Sequence, residues 1–448
     1  MGWQFDSQRV FRALQAVALS GLLSSVVGSP LLAQSERPLW QQKQATKSVR
    51  KYREAMKTIA VQVDVDSLRS ESNAGFSLPL PSGNLVNITK SRERRTEKGL
   101  VWHGQIAGDP ESMVSFSVVN DTVVGSILTG SGQAFRLRRD PNGEQVIEEI
   151  DLGKLPSEDD ATPKPAQRGD NARYRRKVAV CSTDPADRID VLVVYTADAR
   201  IGAGGTDAMV ALLNNAEDQT NLAYENSGIQ QRIKIVHKAE VDYQETGNVT
   251  TDRGRLQAKG DGYLDAVHKM RDRYGADIVA LIVENIGPCG KSFIMTNPEA
   301  SFEDHAFSVV RRRCAAEHGK YSFAHELGHV MGARHDRSTD PKDGSPYAFN
   351  HGYIRVEPTS GRPWRTIMAY STNKTRSHAE TNPCGLAAAV AGVSPDKYCP
   401  RVLNFSNPLV SVRGDPTGSD TEDNHQALNK TAPIVAKFRC ARIVTSNR

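Results

Sequence analysis

The stretch HELGHVMGARHD, from His325 to Asp336, sets three histidines, one glutamate and two glycines within twelve residues. Read as a helix, its first turns place His325 and His329 four residues apart, so both imidazoles leave one face and aim at a common point. That is the geometry a single metal ion needs. Glu326 is rotated from His325 by about a quarter of the helix circumference, so it flanks the ion instead of binding it, where a carboxylate can take a proton from water. Gly332 is expected to end the helix, because glycine enters the left-handed conformation without steric cost. The reversal brings back His335 as a third ligand. Three neutral imidazoles leave a fourth tetrahedral position open, the pattern of a catalytic zinc site and not of a closed structural one. Two solvated histidines on a surface helix would explain a bare HExxH. They would not explain six fixed positions, each with its own geometric task.

The extended pattern HExxHxxGxxHD resembles that of the metzincin zinc endopeptidases. In that comparison His325, His329 and His335 match the metal ligands and Glu326 the general base. The clan also implies a tight turn whose methionine lies beneath the zinc histidines, and TIMAY supplies Met368 for it. Tyr370 follows two residues later. In the astacin-like and serralysin-like branches a tyrosine at that offset reaches the zinc, so Tyr370 is expected to ligate it, to stabilise the oxyanion, or to be a plain buried tyrosine. Asp336, directly after the third histidine, looks reprolysin-like. The run GPCGKSFIM, then AFSVVRRRCAAEHGKYSFAHELGHVMGARHD, NHGYI and WRTIMAY, resembles secreted bacterial peptidyl-Asp metalloendopeptidases over roughly residues 185 to 375. After Met368, STNKTRSHAETNPCG departs from that group. If the resemblance extends to substrate, a cation should line the pocket beside the methionine turn, with Arg365, Lys374 and Arg376 as candidates.

Around this site the chain changes its grammar along its length. Residues 1–33 have a secretory layout: Arg9 and Arg12, an apolar run of about fifteen residues that falls short of the roughly twenty needed to span a bilayer, and a cut expected near Ala33. Residues 34–153 alternate in short segments such as TIAVQVDVDSL and SMVSFSVVNDTVVGSIL, which predicts a β-rich propeptide. Its His103 stands alone and is expected to be structural or exposed. Residues 154–177 read as a linker with a processing site at RYRRK, Arg173 to Lys177. Residues 178–448 form the expected catalytic domain. There RIDVLVVYT, QQRIKIVHKAEVDY and DIVALIVEN alternate with two amphipathic helical segments, predicting an α/β metzincin-like layer with a mostly parallel sheet. AFSVV reads as a further strand, which the metzincin resemblance implies lies at the sheet edge above the cleft, where a peptide substrate can add as a strand. DNHQALNKTAPIVAKF reads as a closing helix.

Composition bounds the partners. A net charge of +5 over 448 residues with scattered basic residues gives nucleic-acid binding nothing specific to stand on, and no segment after the leader is built to cross a membrane. Six cysteines in an exported chain predict three disulfides, Cys289–Cys314, Cys384–Cys399 and Cys181–Cys440. Cys181 is also the one cysteine upstream of the catalytic strands that a propeptide switch would use. Two RGD triplets, Arg168 to Asp170 and Arg413 to Asp415, make an adhesive module a rival of a different class. A hydrolase of another amide competes as an enzyme, and an inactive zinc-binding relative is disfavoured by the presence of Glu326. The sequence therefore predicts a latent, extracellular or periplasmic endopeptidase precursor with one catalytic zinc ion, protein or peptide substrates and its own propeptide as inhibitor. For calcium it offers no support.

Overall fold

Two sheets divide the chain in the computed structural model, which describes residues 38–159, 161–163, 187–342, 344, 346–359, 361–372 and 382–441. The leader, the basic run at 173–177, Cys181, Lys374, Arg376 and the first RGD triplet lie outside the described residues.

The larger sheet has nine strands: β1 (Trp40–Lys43), β2 (Ala55–Val63), β3 (Gly75–Pro79), β4 (Leu85–Thr96), β5 (Gly99–Ile106), β6 (Asp109–Val119), β7 (Thr122–Leu128), β8 (Ala134–Arg139) and β9 (Gln145–Ile150). Their order is β1-β2-β9-β8-β7-β6-β5-β4-β3 and every pairing is antiparallel. Alternation explains this: in each strand one set of side chains, among them Trp102, Phe116, Phe135 and Ile147, enters a single apolar cluster.

The smaller sheet comprises β10 (Thr162–Pro163), β11 (Arg188–Thr196), β12 (Arg232–Val241), β13 (Ile278–Val283), β14 (Gly290–Ile294) and β15 (Phe307–Arg311), in the order β10-β14-β15-β13-β11-β12. Pairings β11–β12, β11–β13, β13–β15 and β10–β14 are parallel, whereas β14–β15 is antiparallel. All six residues of β13 are buried, as continuous apolar runs require when both faces are covered. The expected α/β character is present in this part of the chain, but the largest sheet of the protein is antiparallel. The edge assignment also needs correction. AFSVV falls on β15, an interior strand; beyond it lies the short GKSFI strand β14, whose polar residues hide its role in the sequence, and the outermost position on that side is taken by β10.

A 21-residue helix, Thr206–Asn226, packs against β6 and β7 on one side and β12 on the other. Polar residues on it are buried because they reach the larger sheet: Gln219 donates to Ser115 Oγ at 3.1 Å, and Asp218 pairs with both Arg94 and His103. His103 is thus structural. Further along, Arg136 of β8 bonds Glu54 and Glu317, and Arg313 bonds Glu54 at 2.6 Å, a buried charge cluster joining the larger sheet to the segment ahead of the metal-site helix. Disulfides Cys289–Cys314 and Cys384–Cys399 are formed, and Cys440 is also disulfide-bonded.

Candidate metal centre and cleft

Helix Ser322–Val330 carries His325 and His329, and all of its residues are buried. Gly332 follows at φ 97°, and a Cβ there would lie 3.0 Å from the Met295 carbonyl oxygen, so the reversal after the helix requires glycine twice over. The helix sets His329 Nε2 3.1 Å from His325 Nε2, and the returning chain brings His335 Nε2 to 3.2 Å from the same atom. Behind them, His325 Nδ1 faces the Ile367 carbonyl at 2.9 Å and His329 Nδ1 faces the Ala333 carbonyl at 2.8 Å.

A ring nitrogen facing a carbonyl must carry the proton, so both of these Nε2 atoms present lone pairs to the same space. Lone pairs crowded together in this way repel unless a cation lies between them. Tetrahedral ligands about 2.0–2.1 Å from zinc are spaced by roughly 3.3 Å, so the donor set and its spacing fit a zinc ion. The three side chains are also the one cluster of metal-ligand type among the described residues. Burial lowers the His325 pKa well below its usual value despite the opposing charge of Glu158, which keeps the imidazole in its ligating form.

Glu326 is fully buried and its Oε2 accepts the Ser292 hydroxyl at 2.6 Å. A Cβ on Gly290 would approach Glu326 Oε1 to 2.5 Å, so β14 passes directly over the carboxylate. Ser292 was not legible in the sequence because a single serine in GKSFI has no spacing signature; only strand placement marks it.

The TIMAY segment forms a turn closed by the Ala369 N–H donating to the Thr366 carbonyl at 3.0 Å. Met368 is fully buried under the helix, and a Cβ on Gly328 would be 3.0 Å from both Met368 Sδ and Phe405 Cε1. Glycine between the two helical histidines is therefore what lets the methionine approach. The Tyr370 ring lies 4.3 Å from that of His335, and its hydroxyl donates to the Glu158 carbonyl at 3.2 Å. Asp336 joins the two halves of the site: Oδ1 accepts the Thr339 N–H at 3.1 Å and Oδ2 the Tyr370 N–H at 2.9 Å.

Of the three candidate pocket cations, Arg365 is within the described residues. It is buried and committed elsewhere, donating to the Ala369 carbonyl at 3.0 Å, to the Cys399 carbonyl and to Asp396. The cation with no signature in the sequence is Arg401, two residues beyond Cys399. Its Nη1 and Nη2 grip the two carboxylate oxygens of Glu158 at 2.8 and 2.9 Å, and both side chains are almost wholly buried. The second RGD triplet occupies a hairpin in which the Asp415 carboxylate is buried against Arg355 and Thr359, so its aspartate is not presented to a partner.

Residues 186–380 match the model of the Reprolysin_5 group of metallopeptidase family M12. Across the wider chain, the peptidyl-Asp metalloendopeptidase of Stenotrophomonas maltophilia strain K279a is 34% identical over 378 residues, covering 80% of this chain and 81% of its own. That of Xanthomonas campestris pv. campestris is 33% identical over 372 residues, with 80% of each chain covered. The peptidyl-Asp metalloendopeptidase of Pseudomonas aeruginosa is 28% identical over 279 residues, 57% of this chain and 41% of its own.

Proposed function

Since this chain belongs to the peptidyl-Asp metalloendopeptidases of family M12, and is therefore a metalloendopeptidase, we propose that it is an exported, zinc-dependent enzyme made as a latent precursor and directed at peptide bonds beside acidic residues. The observation that carries the zinc assignment is the convergence of three histidine Nε2 atoms with 3.1 and 3.2 Å spacings. A zinc ion held there supplies Lewis acidity, lowering the pKa of water and polarising the scissile carbonyl. Glu326 takes the proton of the attacking water and returns it to the leaving amine. Ser292 holds the carboxylate in place through its hydroxyl, and the Met368 turn supports the histidines from below. Tyr370, whose ring lies 4.3 Å from that of His335, bonds in this reading the oxygen on which negative charge develops, once the Glu158 carbonyl leaves its hydroxyl.

Latency is supported by the course of the chain after the larger sheet. Cys289 donates its N–H to the Ser157 carbonyl at 2.8 Å, Asp159 donates to the Gly290 carbonyl at 2.7 Å, and β10 continues the pairing along β14. The sheet edge that a peptide substrate would join is thus taken by the chain's own segment. In this reading residues 34–153 are a propeptide and 154–177 the tether to be cut. Export is supported by the leader-like N-terminus and the disulfides; no helix among the described residues is long and apolar enough to cross a membrane.

The test is metal analysis and peptide hydrolysis on the same purified sample. One zinc per chain, activity lost to a chelator and restored by zinc, and a rise in activity accompanying release of the N-terminal region are the expected results. Full activity in the metal-free protein would overturn the zinc reading. Activity that is already maximal in the uncut chain would overturn latency.

A further inference from the structure

A buried charge cluster beside the metal site holds more cations than carboxylates. Lys320, Arg365 and Arg401 are all buried there, and the carboxylates that answer them are Asp396 and Glu158. Asp396 is shared between Lys320, at 3.0 Å, and Arg365. Arg401 is left to Glu158, which it grips through two parallel hydrogen bonds, the geometry in which a guanidinium recognises a carboxylate. Ser322, the first residue of the metal-site helix, adds its hydroxyl to Glu158 Oε1 at 2.6 Å. Otherwise Arg401 donates only to the Lys320 and Ala369 carbonyls among the described residues.

Glu158 does not belong to the catalytic part of the sequence. It comes from the segment lying along β14, and its own carbonyl accepts the Tyr370 hydroxyl next to His335. One residue therefore puts its backbone at the metal site and its acidic side chain into the cationic pocket. If this segment leaves, the guanidinium of Arg401 is buried with no carboxylate partner, a costly state that a substrate carboxylate would relieve.

The geometry points to Arg401, with Ser322, as the pair that selects an acidic substrate side chain, and to Glu158 as a built-in mimic of that side chain which occupies the pocket in the precursor. This assignment rests on the endopeptidase reading and adds to it the residue that sets specificity. It displaces Arg365 from that role, since the Arg365 charge is spent on Asp396.

The experiment uses the full chain, zinc-loaded and left to process. Matched peptides carrying Asp, Glu, Asn or Gln at one position are cleaved by the unchanged protein and by Arg401→Gln, and the eight-residue peptide LGKLPSED (Leu152 to Asp159) is added as an inhibitor. The acid-over-amide ratio in kcat/KM should fall by on the order of a hundredfold in Arg401→Gln, since a site built to pair a charged group rejects or accepts by that pairing. The added peptide should inhibit, and its Glu158→Gln version should bind at least about tenfold more weakly, a comparison that does not depend on the variant protein folding. An acid preference retained in folded Arg401→Gln, or equal inhibition by the two peptides, overturns the assignment. Cleavage without any acid preference would do the same while leaving the endopeptidase reading intact; no cleavage of any peptide would instead remove that reading itself.

Discussion

Asp336 Oδ2 accepts the backbone N–H of Tyr370 at 2.9 Å, tying the residue after the third metal-site histidine to the end of the methionine turn. The same carboxylate accepts the Thr339 N–H and the Ser338 hydroxyl, so it is fully used and fixes two loops that are far apart in sequence. Asp336→Ala should therefore leave a buried N–H unpaired, at a cost of about 1–3 kcal/mol. Thermal unfolding should show this loss together with weaker zinc retention against a chelator. Unchanged stability and zinc affinity would show the two loops to be positioned independently.

Glu326→Gln should retain the metal and lose activity by on the order of a hundredfold to ten-thousandfold, the usual span for a general base. Zinc content by mass spectrometry and kcat/KM on one peptide separate the two effects. A zinc-loaded, folded variant with near-normal turnover would remove Glu326 from the mechanism.

Gly328→Ala places a methyl group 3.0 Å from Met368 Sδ and Phe405 Cε1. The intrinsic gain in helix propensity is under about 1 kcal/mol, whereas overpacking a core costs about 1–3 kcal/mol. The net effect should be destabilising, and Met368→Ala in the same chain should relieve the clash. Additive losses in the double variant would contradict the close approach.

Acid should weaken the protein within a definite window. Burial raises the Glu54 pKa, but Arg136 and Arg313 outweigh it and hold the carboxylate down to about 2 from an ordinary 4.5. Asp396 likewise is held at about 2 by Lys320 and Arg365 against the effect of burial. A depressed folded-state pKa means stability that is present above the unfolded value and lost as pH falls through the folded one. The urea midpoint should thus decline between about pH 4.5 and 2, and Glu54→Gln should flatten part of that decline. An equally steep decline in Glu54→Gln would place the acid sensitivity elsewhere.

The Cys384–Cys399 bridge spans 15 residues and precedes Arg401 by two positions. In the chain-entropy account a loop of that length is worth about 3 kcal/mol. The double serine variant should lose stability of that order, and its acid-over-amide selectivity should fall as Arg401 loses its anchor. Selectivity unchanged in the destabilised protein would mean that Arg401 is held by its own bonds alone.

By itself the sequence determined what depends on local spacing. Residues four apart on a helix share a face, so HExxH was enough to pair His325 with His329, and Gly332 and His335 followed from the turn a left-handed glycine permits. The strands β11, β12 and β13 were legible because long apolar runs have few other uses, and the bracketing cysteines pointed to Cys289–Cys314 and Cys384–Cys399. Tertiary structure alone decided what depends on long-range contact. It put AFSVV inside the smaller sheet, between β13 and the short polar strand β14, because GKSFI finds its strand partners only in β15 and β10, which the fold brings to it. Ser292 meets Glu326 across 34 residues and Arg401 meets Glu158 across 243, and no periodicity in the chain encodes either encounter. Arg365, the nearer arginine to the methionine turn, was drawn instead to Asp396, since a buried guanidinium settles wherever the fold supplies a carboxylate.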